Sequence, residues 1–294
     1  MKLGLQLNSF DWEGGTERFG ETLGSIARAA EEARFDRLGV ADHLWLHPIM
    51  GGPEGSEPEC YTTLGFLAAS TRRISLMAMV SGVHFRHPAV LVKAVTTLDV
   101  LSGGRAWLGI GSGHYEEEAR GLGVPFPPQR ERYGMLEETL QIALRMWSGV
   151  RGDERPFGGE HYRLERPLNV PQSLGRPHPP ILLVAGGGEK RTLPLVARYA
   201  DACNLRPGPD IPEKLEVLRH HCEVEGRDYE EIEKTCMFGF DVGKGSPKAY
   251  ELVERLRWLA GMGIDTVIGV VPGVDRLSPL EVVGAEVIPA VADL

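Results

Sequence analysis

Short apolar runs alternate with stretches of helical spacing eight times along this 294-residue chain. That alternation constrains the fold more than any single motif does. Leu3, Leu5 and Leu7 mark a first strand, and Leu23, Ile26, Ala27 and Ala30 then recur at helical intervals. RLGVADH (Arg37–His43) reads as a second strand and its end, YTTLGFLAAS as a helix, and ISLMAMV (Ile74–Val80) as a fully apolar third strand. PAVLVKAVTTLDVL is a helix opened by Pro88 and closed by Gly103 and Gly104, a favoured start and a favoured stop. RAWLGI is the fourth strand. The long helix after it carries Tyr133, Leu136, Leu140, Leu144 and Trp147 on one side. ILLV, DACNL, TCMFGFDV and DTVIGVV supply strands five to eight, with helices at Leu193–Tyr199, Pro212–Glu225, Pro247–Ala260 and Pro279–Val291.

Eight such units at this length predict an α/β fold, a (β/α)8 TIM barrel, in one domain spanning residues 1–294. A doubly wound sheet is the alternative, and it usually has fewer units. The rhythm breaks once, from Arg151 to Pro180, where glycines and prolines flank the strand-like EHYRLERPL. This segment reads as a rim insertion after the strand-four helix.

Charge and composition narrow the function. A net charge of −9 argues against a nucleic-acid partner. No apolar run approaches the ~18 residues of a membrane span. MKLGLQLNSF lacks the parts of a signal peptide, so a cytoplasmic protein is expected. Cys60, Cys203, Cys222 and Cys236 form no C-x-x-C pair and read as reduced structural thiols. His220, His221 and Cys222 are adjacent on a helix and diverge by ~100° per residue, so no metal is expected there.

In a parallel barrel, chemistry sits where strands end. Those positions hold Asn8 and Ser9; Asp42 and His43; Val80, Ser81 and Gly82; Gly111 to Tyr115; Ala185 to Gly188; Asn204 and Arg206. The set is polar, rich in glycine and poor in carboxylates, which suits gripping a cofactor better than acid–base hydrolysis. Gly186, Gly187 and Gly188 let backbone approach a ligand closely, and Pro194 starts a helix near Arg191 to Leu193. Free N–H groups and the positive helix end would then face the loop, with Lys190 and Arg191 adding charge. This is a phosphate cradle; a tight turn with solvated charges is the other reading. LGIGSGH imitates a dinucleotide fingerprint but has His114 where glycine is needed. It imitates a nucleophile elbow but has Ile110 there. Its glycines suit a flat ring lying on backbone. His43, at a barrel mouth beside Asp42, is the candidate proton donor or acceptor. Trp45, His84 and His114 are candidates for the substrate pocket, with simple packing as the rival role. His87 caps or packs.

Two long stretches carry a family resemblance. HFRHPAVLVKAVTTLDVLSGGRAWLGIGSG and EEEARGLGVPFPPQRERYGMLEETLQIALRMWSG resemble the luciferase-like monooxygenase superfamily. GGGEKRTL, LVARYADACN and EHYRLERPLNVPQ resemble its coenzyme F420-dependent branch. The resemblance implies a bacterial luciferase-like barrel that binds F420, or FMN in sister branches, and transfers a hydride to or from the ring. It implies that Gly186, Gly187, Gly188, Glu189, Lys190, Arg191 and Thr192 hold the cofactor phosphate with help from Tyr133. Asp42 and His43 would lie near the ring, and so would Met79, Val80, Ser81 and Gly82, with a non-proline cis peptide at Met79–Val80. Ser112, Gly113 and Tyr115 would complete the ring site. Relatives acting on sugar phosphates carry a glutamate acid after strand four. Ser112 stands there in this chain, with Tyr115 in place of an asparagine, which argues against a sugar phosphate. Tyr115 or His114 would replace the missing donor, or the substrate is a carbonyl or alkene that needs only His43. The resemblance also implies a homodimer.

Three functions remain open on the sequence: an F420-dependent oxidoreductase of a small organic substrate, an FMNH2-dependent monooxygenase, and a flavin-binding protein without turnover. Substrate choice would rest on the loops at Leu46 to Cys60 and Gly152 to Pro180.

Overall fold

The structure, a computed structural model, describes residues 1–149, 155–175, 177–185, 188–242 and 247–294. Eight parallel strands form the barrel: β1 (Lys2–Leu7), β2 (Arg37–Val40), β3 (Ser75–Ala78), β4 (Ala106–Gly111), β5 (Ile181–Val184), β6 (Ala202–Leu205), β7 (Glu233–Gly239) and β8 (Thr266–Val270). Each pairs with its chain neighbour. β1 meets β8 at Lys2↔Thr266, and the gap between β3 and β4 closes at Leu76↔Ala106. The expected barrel is therefore the one formed. Short runs such as RLGV and ILLV work here because a parallel strand is covered on both faces.

The helices form the outer layer: α1 (Gly15–Glu32), α2 (Cys60–Ser70), α3 (Pro88–Ser102), α4 (Glu116–Gly121), α5 (Gln129–Trp147), α6 (Thr192–Tyr199), α7 (Ile211–Glu225), α8 (Pro247–Gly261), α9 (Ser278–Val282) and α10 (Ile288–Val291). α1 turns Leu23, Ile26, Ala27 and Ala30 onto the strands, as the spacing predicted. His87 caps α3 by accepting from the Ala89 N–H, and left-handed Gly103 ends it. The expected continuous helix Pro279–Val291 is interrupted by a π turn at Val283–Val287. Pro289 has no N–H to offer the carbonyl four residues back, so the ladder widens there.

Two cores result. The larger joins the outer faces of the strands to the helices. The smaller fills the barrel with Met77, Met79, Leu182, Ala202 and Ile268. Gly109 lets β4 approach β3, because a Cβ there would lie 2.0 Å from the Ala78 carbonyl oxygen. Near the N-terminal end of the barrel, Arg37 is 1% exposed and bonds Asp36 at 2.8 Å and Glu233 at 2.8 and 2.9 Å. Its guanidinium lies 4.3 Å from the Trp107 ring centroid.

The insertion leaves α5 as expected and runs as a strap along the outer wall. Within EHYRLERPL only Arg163–Leu164 is strand, paired with Phe157–Gly158. Glu138 of α5 accepts from the Glu160, His161 and Tyr162 N–H groups, and Asp99 of α3 accepts from Leu174 and Gly175. The tip reaches the start of α3, where Tyr162 meets His87 at 5.5 Å between ring centroids. Among the described residues, no helix is long and apolar enough to cross a membrane. All four cysteines are buried and free.

Candidate cofactor and substrate site at the barrel mouth

Strand ends bring most of the expected residues to one mouth. Asp42 and His43 follow β2. The Met79–Val80 peptide after β3 is cis, at the position expected. Ser81 and Gly82 then pair with Ile110 and Gly111 at the end of β4, which aims Ser112 to Tyr115 across the opening. Gln6 of β1, which the sequence reading passed over as a site residue, donates to the Met79 carbonyl at 3.4 Å.

The centre of the site is a hydrogen-bonded pair. His43 Nδ1 lies 2.8 Å from Glu118 Oε2. Glu118 has no solvent exposure, and its other oxygen accepts from the Leu44 and Trp45 N–H groups. Burial opposes its ionisation, but the His43 contact and the two amides outweigh that and hold the carboxyl below its ordinary value. An ionised carboxylate only accepts, so Nδ1 carries the proton and Nε2 is left for other partners. The expectation of a mouth poor in carboxylates is corrected here. Glu118 looks like one of three solvated glutamates at the start of α4. Its signal was spacing: it lies three residues after Tyr115 and beside buried Ala119, on the inward face of that helix.

Aromatic rings crowd this pair. His114 lies 5.4 Å and Tyr115 5.9 Å from the His43 ring, between centroids. His47, another omission, sits 5.2 Å from His114 and 5.1 Å from Tyr115. Burial, then the charge of His43, holds His47 below its ordinary value. The Tyr115 hydroxyl is buried with no partner among the described residues. Trp45 turns the other way. Its ring lies against Gly121 and borders an open cleft of about 670 Å³ with Glu116, Glu117 and Arg120.

Asp42 is occupied by a cation. Arg86 bonds it at 2.5 Å, reaches Glu59 at 2.6 Å and covers the Tyr61 ring at 4.9 Å. The Tyr61 hydroxyl is 2.9 Å from that of Ser81. On the far wall His84 is wedged between Gly82 and Gly113. A Cβ on Gly113 (φ +78°) would lie 2.4 Å from its Nδ1. Neither ring nitrogen of His84 has a partner among the described residues, and burial lowers its pKa to about 4, so the ring is neutral. Arg132 stacks on Phe126 at 3.8 Å and donates to the Ser112 carbonyl at 2.9 Å and that of Gly113 at 3.4 Å. It holds the loop after β4 in place.

The proposed phosphate turn lies after β5. Gly186 and Gly187 fall outside the described residues. Gly188 is in place, and α6 starts at Thr192 with Pro194 in its first turn, as expected. The N–H groups of Arg191, Thr192 and Leu193 are not all free as the sequence suggested, since each points at the Gly188 carbonyl, at 3.1, 2.8 and 3.1 Å. The Thr192 hydroxyl donates to it as well, at 3.0 Å. Arg191 lies 5.5 Å from the Tyr133 ring centroid, so two residues expected at one phosphate are neighbours. Glu189 offers its carbonyl to His221 at 3.3 Å, and Lys190 is exposed.

Residues 7–278 match the family described as luciferase-like monooxygenase. Over 232 residues the chain is 32% identical to an F420-dependent glucose-6-phosphate dehydrogenase of Nakamurella multipartita, covering 76% of this chain and 65% of that one. A dehydrogenase of the same name from Kineococcus radiotolerans is 33% identical, over 72% of this chain and 61% of its own length. The matched region thus spans a little under two thirds of these curated relatives. Among solved structures, the coenzyme F420-dependent tetrahydromethanopterin reductase of Methanopyrus kandleri superposes with a TM-score of 0.80, covering 98% of both chains at 17% identity. The monooxygenase RslO1 of Streptomyces bottropensis superposes with a TM-score of 0.81 at 19% identity, covering 98% of this chain and 99% of its own. At these identities the structural likeness speaks for the fold.

Proposed function

The chain belongs to the luciferase-like monooxygenase family, and on that premise we propose that it is an F420-dependent oxidoreductase acting on a small carbonyl compound or the corresponding alcohol. The carrying observation is His43, held by buried Glu118 at the mouth that Met79–Val80, Ser81 and Gly113 also line. The residues suit such a cofactor. Gly82 and Gly113 leave room beside His84, whose two nitrogens lack partners. Arg191, over Tyr133 beside the Gly188–Thr192 turn, is a cation that suits a phosphate. The bound deazaflavin would supply the hydride chemistry.

The chain supplies positions and protons. Glu118 fixes the His43 tautomer, so Nε2 accepts a proton from an alcohol, or returns one in the opposite direction. Arg86 neutralises Asp42 and spares the mouth a second free anion. The named substrate of the curated relatives is a sugar phosphate. The Glu118 carboxylate at His43 favours an uncharged substrate here. A cytoplasmic homodimer accompanies this reading. Exposed Phe66 on α2, with Val90 and Leu101 on α3, offers an apolar face for the second copy, and light scattering on the purified protein tests it.

Fluorescence titration with oxidised F420, with FMN as competitor, tests the cofactor. Tight binding that FMN does not displace is expected; a preference for FMN overturns the assignment.

A further inference from the structure

In the function proposed above, His43 takes a proton from an alcohol at Nε2, and that proton has to reach solvent before the next cycle. Nδ1 offers no way out. It faces Glu118, which has no solvent exposure and accepts from two backbone amides besides the ring. Nε2 meets the substrate, so bound product covers the direct route. Three rings border His43: His114 at 5.4 Å, His47 at 5.8 Å and Tyr115 at 5.9 Å between centroids. Tyr115 opens no path, because its hydroxyl is sealed from solvent and has no partner among the described residues. A neutral imidazole has one acceptor nitrogen, and that of His47 is in use: its Nδ1 accepts from the Ile49 N–H at 3.3 Å. His114 differs from both. It is exposed at the rim, and among the described residues no hydrogen bond engages its ring. It stands edge-on to His43 at 89°, across a gap that two hydrogen bonds of ~2.9 Å through one water can span.

We infer that His114 is the proton relay between His43 and solvent. The inference rests on the function proposed above. In the oxidising direction the alcohol O–H bond breaks and its proton goes to His43 Nε2. The C–H bond breaks with its electron pair, which passes as hydride to the oxidised cofactor, and the carbonyl product forms. His43 then hands its proton to a ring nitrogen of His114, and His114 passes it to buffer, so both imidazoles return to the neutral form. Reduction of a carbonyl runs the same steps backwards and brings the proton in. The charges around His114 suit a carrier. Partial burial, then the charges of His43 and His47, holds it below its ordinary value. Arg206 acts in the same sense, and Glu118 opposes it. The ring is therefore neutral at pH 7, able to accept a proton and quick to give it up.

Two measurements test this. Nitrogen NMR of histidine-labelled, cofactor-free protein, assigned with His114→Phe, reads the rings without turnover. His114 should be neutral at pH 7 and titrate below 6.5, while His47 keeps Nδ1 unprotonated. A His114 ring charged at pH 7 overturns the inference, since it has no lone pair to offer. Turnover is then followed with F420 and a secondary alcohol (2-propanol, 2-butanol or cyclohexanol, whichever the wild type oxidises fastest). His114→Phe and His114→Ala should both lower kcat about 10²-fold and leave the KM for F420 near the wild-type value. Phenylalanine keeps a ring against His43 but has no nitrogen, so a wild-type rate in that variant reduces His114 to packing and overturns the relay. Added imidazole should restore His114→Ala in proportion to its concentration and leave the wild type unchanged; no rescue overturns it as well. Failure of the wild type to bind F420 or to oxidise any of these alcohols overturns the preceding reading, while the cofactor-free spectra still decide whether His114 can carry a proton.

Discussion

His43 Nδ1 and Glu118 Oε2 stand 2.8 Å apart although 75 residues separate them in the chain. Among the described residues, nothing else in the mouth joins a titratable ring to a fully buried carboxylate so directly. If the pair acts as one unit, its two members should not contribute independently. His43→Ala is expected to lower turnover 10²- to 10⁴-fold, the range of general acid–base catalysis, with F420 affinity retained. Glu118→Gln should lower turnover about 10²-fold through loss of ring orientation. The double variant should be no slower than His43→Ala alone. Steady-state kinetics and cofactor titration on the three proteins check this; full additivity would separate Glu118 from the mechanism.

Glu57, on the loop between β2 and α2, makes a prediction about stability. Its folded-state pKa of about 8 lies above the ordinary 4.5. The native state therefore binds the proton more tightly than the unfolded chain does. Its contribution is fully present below pH 4.5 and is lost as the pH rises to about 8. Glu57→Gln removes that dependence. The variant should gain stability over wild type as the pH is raised across this window, reaching about 1–2 kcal/mol after allowance for solvent screening. Denaturant melts at pH 5 and pH 8 measure the difference. An equal gap at both values would mean that the carboxyl titrates normally.

Arg37 tests the closed end of the barrel. Its side chain is almost fully buried, yet Nη1 has no partner among the described residues. Its other groups neutralise Asp36 and Glu233 and cover Trp107. Arg37→Met keeps much of the volume but leaves the mostly buried Glu233 without its cation, while Asp36 keeps Lys2 at 3.9 Å, and removal of one member of a buried pair typically costs ~3–5 kcal/mol. A loss of that size in urea melts is expected. Glu233→Gln added to Arg37→Met should restore part of it, because one stranded charge is then gone.

The sequence and the structure agree where the information is local or repetitive. The eight strands could be read because each is a short apolar run between turn signals. The His87 cap could be read because Pro88 follows it. Tyr133 and Arg191 were both placed at the phosphate through resemblance, and they are neighbours. Glu118 was lost in a run of three glutamates, since a helical repeat reports a face and not the partner across from it. The pairing of Asp42 with Arg86 spans 44 residues and leaves no periodic trace.

Arg191 offers a test of the phosphate turn that does not depend on turnover. It is exposed, sits over Tyr133, and follows Gly188 at the start of α6. If it pairs with the cofactor phosphate, Arg191→Ala should weaken F420 binding about 10-fold, as expected for one partly solvated charge-assisted contact. The same change should leave binding of the bare deazaflavin ring, stripped of its phosphate-bearing tail, almost unaltered. Raising the salt concentration should erode the wild-type preference for the phosphorylated form and leave the variant nearly insensitive. Titrations of both ligands against both proteins give four dissociation constants. A variant that loses affinity equally for the two ligands would place Arg191 in support of the fold around Tyr133 and take it away from the phosphate.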